Sequence, residues 1–144
     1  MDNRIRIPVD EEALVPRQIV NPSSIHPPAG YSHIVHATGS RLVFLAGQAA
    51  LDTNFAVVGE GDLGAQTRQV MKNLRSALDE LGAGWDDVVK ATVYTTQPHE
   101  YETIGTAMAE AMGGAEPPAQ TIAGVTGLAL PELLIEIELV VSLA

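Results

Sequence analysis

The stretch Leu133 to Val141 constrains the fold more than any other part of the chain. Leu133, Ile135, Ile137, Leu139 and Val141 alternate with Leu134, Glu136, Glu138 and Val140, which is the two-residue period of a β-strand. Both sides are largely apolar, yet one carries two carboxylates. An unpaired carboxylate taken out of water either destabilises the fold or is driven to its neutral form. That side therefore has to supply partners. Either Glu136 and Glu138 make structural hydrogen bonds or emerge at a sheet edge, or one of them acts as an acid or base in a pocket.

In chain order, residues 1–17 are mixed and charged, punctuated by Pro8 and Pro16, and read as an N-terminal arm. Residues 18–144 read as a single domain. Gln18 to Val20 is a short strand candidate, followed by a breaker-rich loop, Asn21-Pro22-Ser23-Ser24 and Pro27-Pro28-Ala29-Gly30. Tyr31 to Ala37 and Arg41 to Gln48 read as an antiparallel pair turned by Thr38-Gly39-Ser40. Asp62 suits the N-cap of a helix whose stripe is Val70, Leu74, Ala77, Leu78 and Leu81, with Gly82 stopping it. Val88 to Thr96 is rich in β-branched residues and reads as a strand. Pro98 suits the first turn of a second helix, striped by Tyr101, Ile104, Met108, Ala111 and Met112 up to Gly113. Ala119 to Val125 and the terminal stretch complete the order β-β-β-α-β-α-β-β. Two helices cannot cover both faces of such a sheet, so they are expected on one face. The other face, carrying Glu136, Glu138, Leu134 and Val140, is too apolar for solvent and should meet another subunit.

The 144 residues, 46% of them apolar, suffice for the core of one domain. A net charge of -10 with only eight Lys and Arg argues against a nucleic-acid partner. The absence of cysteine excludes disulfides, thiolate metal sites and a cysteine nucleophile. There is no apolar run of signal-peptide or membrane-spanning character, so a cytoplasmic protein without a membrane partner is expected. No clustered His and carboxylate ligands suggest a metal, and no cofactor is expected. His33 and His36, an odd number of positions apart on the expected strand, would face opposite sides and not converge on one phosphate.

The succession Asn21-Pro22, Gly30-Tyr31-Ser32, LVFLAGQAALD (42–52), AQTRQVMKNLRSALDELGAGWDDVVKATVY (65–94), PPAQT (117–121) and LPELLIEIELV (130–140) resembles the RidA/YjgF family, also labelled endoribonuclease L-PSP. The resemblance covers about residues 19 to 144. It implies an α+β, chorismate-mutase-like fold, a six-stranded mixed sheet with two helices on one face, assembled as a homotrimer with clefts between subunits. It also implies hydrolysis of reactive enamines and imines, such as 2-aminoacrylate, to keto acids and ammonia.

Carried over residue by residue, the resemblance makes Glu136 the catalytic carboxylate, which orients water or handles the proton of the leaving ammonia. Tyr31 becomes a cleft-lining ring. Gln120 stands where the family's deaminases place an arginine that forks onto the substrate carboxylate, and Thr121 beside it counts as substrate-binding. Ala46 and Gly47 stand in the family's Ser-Gly-Gln, with the hydroxyl lost, and Gly105 stands where an asparagine is often found. A neutral amide in place of a guanidinium replaces a bond of roughly 1.5–3 kcal/mol with one of roughly 0.5–1.5 kcal/mol, and with Glu136 nearby this disfavours an anionic imino acid. Three readings follow: a deaminase-type enzyme of altered specificity acting on a small molecule, a binding trimer that has lost catalysis, or a tautomerase or cyclisation catalyst using Glu136 without water attack.

Overall fold

The computed structural model describes residues 17–144. The expected arm lies outside that range except for Arg17, which opens the first strand. The elements follow the predicted order: β1 Arg17–Val20, β2 Ile34–Ala37, β3 Arg41–Ala49, α1 Leu63–Glu80, β4 Val88–Thr95, α2 Tyr101–Met112, β5 Ala119–Gly124 and β6 Ile135–Leu143. Single 3-10 turns at Trp85–Asp87 and Pro98–Glu100 lead into β4 and α2.

The six strands do not form one sheet. β1 and β2 make an antiparallel ribbon, and the remaining four are ordered β3-β6-β4-β5, with β4 and β5 parallel and the other pairs antiparallel. The ribbon touches β5 through one bridge, Ser32 to Ala119, with the Ser32 N–H donating to the Pro118 carbonyl at 2.9 Å. Pro117 and Pro118 have no N–H to extend that ladder.

The expected pairing of the Tyr31–Ala37 and Arg41–Gln48 stretches is also corrected. β2 pairs with β1, and β3 pairs with β6. Thr38-Gly39-Ser40 is therefore a crossing between sheets. It runs so close to the end of β6 that a Cβ on Gly39 would lie 2.4 Å from the Leu143 carbonyl oxygen.

Both helices pack on one face of the larger sheet. The odd-numbered residues of β6 lie under them, Ile135 and Ile137 being 0% exposed, in one core with Val70, Met71, Leu74 and Leu78 of α1 and Ile104, Met108 and Met112 of α2. The Asp62 carboxylate caps α1 by accepting from the Ala65 N–H. The predicted stripes are correct in phase but overextended. Leu81, Tyr101 and Ala111 are exposed, and Ala107 takes the core position in α2.

The opposite face is open in the single chain. Phe44 is 71% exposed and Leu42 58%, and Phe44 stands in register with Val140. Among the described residues, no helix is long and apolar enough to cross a membrane.

Candidate active site

Glu136 sits near the start of β6, opposite Ala49 of β3 and Tyr94 of β4. Because the odd residues of β6 face the helices, Glu136 projects onto the open face. There β3 is irregular: its register with β6 shifts between Leu45 and Gln48, across Ala46-Gly47. The Glu136 carboxylate lies over this break, and a Cβ on Gly47 would meet its Oε1 at 2.2 Å. Gly47 is thus required by close approach, the absence of a side chain making the seat for the carboxylate.

Gly47 and Glu136 border a cavity of about 590 Å³, completed by Gln48, Phe55, Asn73 and Leu133. The helix α1 fixes this wall: the Asn73 amide donates to the carbonyls of Ala49 at 3.1 Å and Leu51 at 2.9 Å. The rim is tied by Asp52, whose carboxylate accepts from the N–H groups of Asn54 and Ala56. That turn holds Phe55 at φ 62, a conformation bulky residues rarely adopt.

The alternation left open which carboxylate does what, and the structure separates them. Glu138 accepts a hydrogen bond from the Tyr94 hydroxyl at 2.9 Å. That bond, with partial burial and the negative charges of Glu138 and Glu136, raises the Tyr94 pKa above its ordinary 10.0. Glu138 is thereby engaged within its own chain, while Glu136 opens into the cavity.

Tyr31, Gly105 and Gln120 come together in a second cavity, of about 430 Å³, with Pro98, Tyr101 and Ile122. β5 presents Gln120 and Ile122 on the same side, α2 supplies Gly105 and Tyr101, and the loop before β2 brings in Tyr31. None of the lining residues is Lys or Arg. Arg17 is committed elsewhere: its side chain is 4% exposed, and its guanidinium donates to the carbonyls of Val88 and Glu116, each at 2.6 Å, and pairs with Asp86.

The remaining expected site residues fall outside both cavities. Ala46 borders a depression on the open face with Phe44, Lys90, Thr92, Glu138 and Val140. Thr121 accepts from the Lys90 ammonium at 2.8 Å. Strand alternation turns Thr121 away from Gln120, whereas Ala46 shares the open face with Glu136 but lies at the register break beside Glu138.

Of the two histidines expected on the strand, His36 lies on β2 and His33 does not. His33 precedes β2 and packs against His26 with ring centroids 5.0 Å apart. His26 in turn reaches the Tyr31 hydroxyl through Nε2 at 2.6 Å. Among the described residues, no three of His, Asp and Glu gather as a metal site.

The sequence model of the endoribonuclease L-PSP family matches residues 21–143. The chain belongs to the RidA/YjgF family. It is similar to a RutC family protein of Synechocystis, 32% identical over 128 residues, covering 88% of this chain and 96% of the relative. It is also similar to the 3-aminoacrylate deaminase RutC of Acinetobacter baylyi, 31% identical over 123 residues, covering 85% and 95%. A solved Rid protein from Yersinia pestis, YyfB, superposes with a TM-score of 0.84 at 40% identity, covering 89% of this chain and 99% of that one. The α+β fold with two helices is therefore a Rid fold. In this Rid chain, Gly47 and Glu136 line one cavity and Tyr31, Gly105 and Gln120 another, with Ala46 and Thr121 in neither.

Proposed function

We propose that this Rid protein is a homotrimeric deaminase-type hydrolase of a reactive enamine or imine, with the substrate carboxylate no longer selected. The cavity of Tyr31, Gly105 and Gln120 on one chain would meet the Gly47–Glu136 cavity of the next. The open apolar face bearing Phe44, Leu42 and Val140 supports such an assembly, since a patch of this kind on one chain marks a protein contact. The deaminase named among the relatives supports the reaction class.

In the proposed reaction the Glu136 carboxylate takes a proton from water as the oxygen attacks the imine carbon. It then returns that proton to the nitrogen, and the carbinolamine collapses to a carbonyl and ammonia. An enamine enters the same route after protonation at carbon. The observation that carries the specificity is the lining around Gln120: an amide stands beside Tyr31, no cation joins it, and Arg17 is bonded elsewhere. An uncharged or cationic imine that donates a hydrogen bond suits this lining better than an imino acid.

The test compares 2-iminobutyrate with the uncharged aldimine of isobutyraldehyde, each formed in situ by an oxidase. The aldimine should be the better substrate. Gln120→Arg should raise kcat/KM for 2-iminobutyrate roughly tenfold, mainly through KM, because it adds a charge-assisted contact. Glu136→Gln in that background should remove the gain. Efficient turnover of 2-iminobutyrate by the unaltered protein would overturn the specificity. No turnover of either imine, with Gln120→Arg also inactive, would favour a binding trimer.

A further inference from the structure

His26 belongs to none of the expected site positions, yet it is bonded to one of them. Its Nε2 lies 2.6 Å from the Tyr31 hydroxyl. The loop fixes this contact from behind. His33 Nε2 lies 2.8 Å from the His26 carbonyl oxygen, so that nitrogen carries its proton and donates. The His33 backbone N–H donates to Asn21 Oδ1 at 2.8 Å. The three rings meet edge to face, with centroids 5.0 to 6.4 Å apart. Tyr31 is half-buried and lines the Gln120 cavity, while His26 on its other side is exposed to solvent. A titratable group in contact with water is thus joined to a hydroxyl in contact with the site.

We infer that His26 is a positioning residue for a proton relay in which Tyr31 protonates the substrate and His26 re-protonates Tyr31. The inference rests on the imine-hydrolysis reading of the site. The donor arithmetic gives the mechanism. Neutral His26 with Nε2 unprotonated accepts from Tyr31, so the Tyr31 proton points away from the cavity. Protonated His26 can only donate through Nε2, which turns the Tyr31 O–H toward the cavity. The Tyr31 O–H bond then breaks as an N–H bond forms on the imine, or a C–H bond on the enamine. The His26 Nε2 proton moves to the Tyr31 oxygen in the same event. The products are neutral His26, neutral Tyr31 and an iminium ion, which the Glu136-activated water attacks. Ammonia leaves as ammonium carrying the extra proton, and His26 takes another from solvent.

The titratable groups facing His26 are the Tyr31 phenol and the His33 ring, both from its own loop. The elements packed around Tyr31 contribute Gln120 from β5 and Tyr101 from α2, neither charged at neutral pH. The imidazolium of His26 thereby supplies, reversibly, a positive charge that the cavity lining itself does not contain.

The experiment measures kcat and KM for the isobutyraldehyde imine from pH 5 to 8 in the unaltered trimer, in His26→Gln, in Tyr31→Phe and in the double variant. Unaltered protein should gain kcat as pH falls from 8 to 5. His26→Gln should flatten that limb and lower kcat at pH 5.5 roughly tenfold, with KM within about twofold. The double variant should be no slower than Tyr31→Phe alone, because the two residues act in series. Proton NMR should show the His26 ring resonances displaced by Tyr31→Phe. An acid limb retained in His26→Gln, or additive losses in the double variant, would overturn the relay alone. A uniform loss of kcat with an unchanged profile would assign His26 a structural role and also overturn it. An unaltered protein that hydrolyses no imine would overturn the relay together with the deaminase reading.

Discussion

Gly47 and Glu136 show how little chemistry separates a site from a plain strand. The carboxylate rests where the Cβ of any other residue at position 47 would stand. Gly47→Ala sets a methyl group against the far end of a flexible side chain, so the fold should survive with a stability change under about 1 kcal/mol, while the carboxylate is pushed from its seat. Imine hydrolysis should fall about as far as in Glu136→Gln, roughly 100-fold or more, with the thermal midpoint nearly unchanged. A Gly47→Ala protein of full activity would show that the carboxylate works from another position. The same scale explains why Thr121 leaves the site. It sits next in sequence to Gln120, and on a strand that places it on the opposite face.

Among the elements, α1 does more than cover the sheet. Gln66 is 0% exposed, and its amide donates to the Glu132 carbonyl at 2.9 Å and accepts from the Leu134 N–H at 2.8 Å. One helical side chain therefore pins the approach to β6, two residues before Glu136. Gln66→Leu removes both partners and should destabilise the protein by about 2–4 kcal/mol, measured by urea unfolding, because two backbone groups are left unpaired. The helices and the alternation of β6 were legible in the sequence because each rests on local periodicity, as Val70, Leu74 and Leu78 or Ile135 and Ile137 show. The pairing of β3 was not, since its partner β6 lies far along the chain and the adjacent β2 is the plausible local choice. Gln66 reads as an ordinary polar helix residue, and its role exists only once Glu132 and Leu134 are brought to it. His26, Tyr31 and His33 meet because a proline-rich loop folds back on itself, a shape without periodicity. Tyr31, Gly105 and Gln120 could be named from the resemblance, but not their separation from Glu136 within one chain.

For the whole molecule, the decisive feature is the open sheet face. Phe44 contributes nothing to the core of its own chain, so Phe44→Asp should leave monomer folding almost intact while placing a charge in the proposed subunit contact. Sedimentation velocity should show a shift from trimer to monomer, accompanied by loss of imine hydrolysis. A fully active monomer would overturn the shared cleft. In the proposed trimer, the separate cavities of one chain would make it a donor of half a site to one neighbour and of the other half to a second. Two impaired variants, Tyr31→Phe and Glu136→Gln, should therefore rescue one another when unfolded together and reassembled. In an equal random mixture about one cleft in four would draw an intact tyrosine from one parent and an intact glutamate from the other. Activity in the blend above that of either parent would be the population-level signature of a catalyst that no single chain contains.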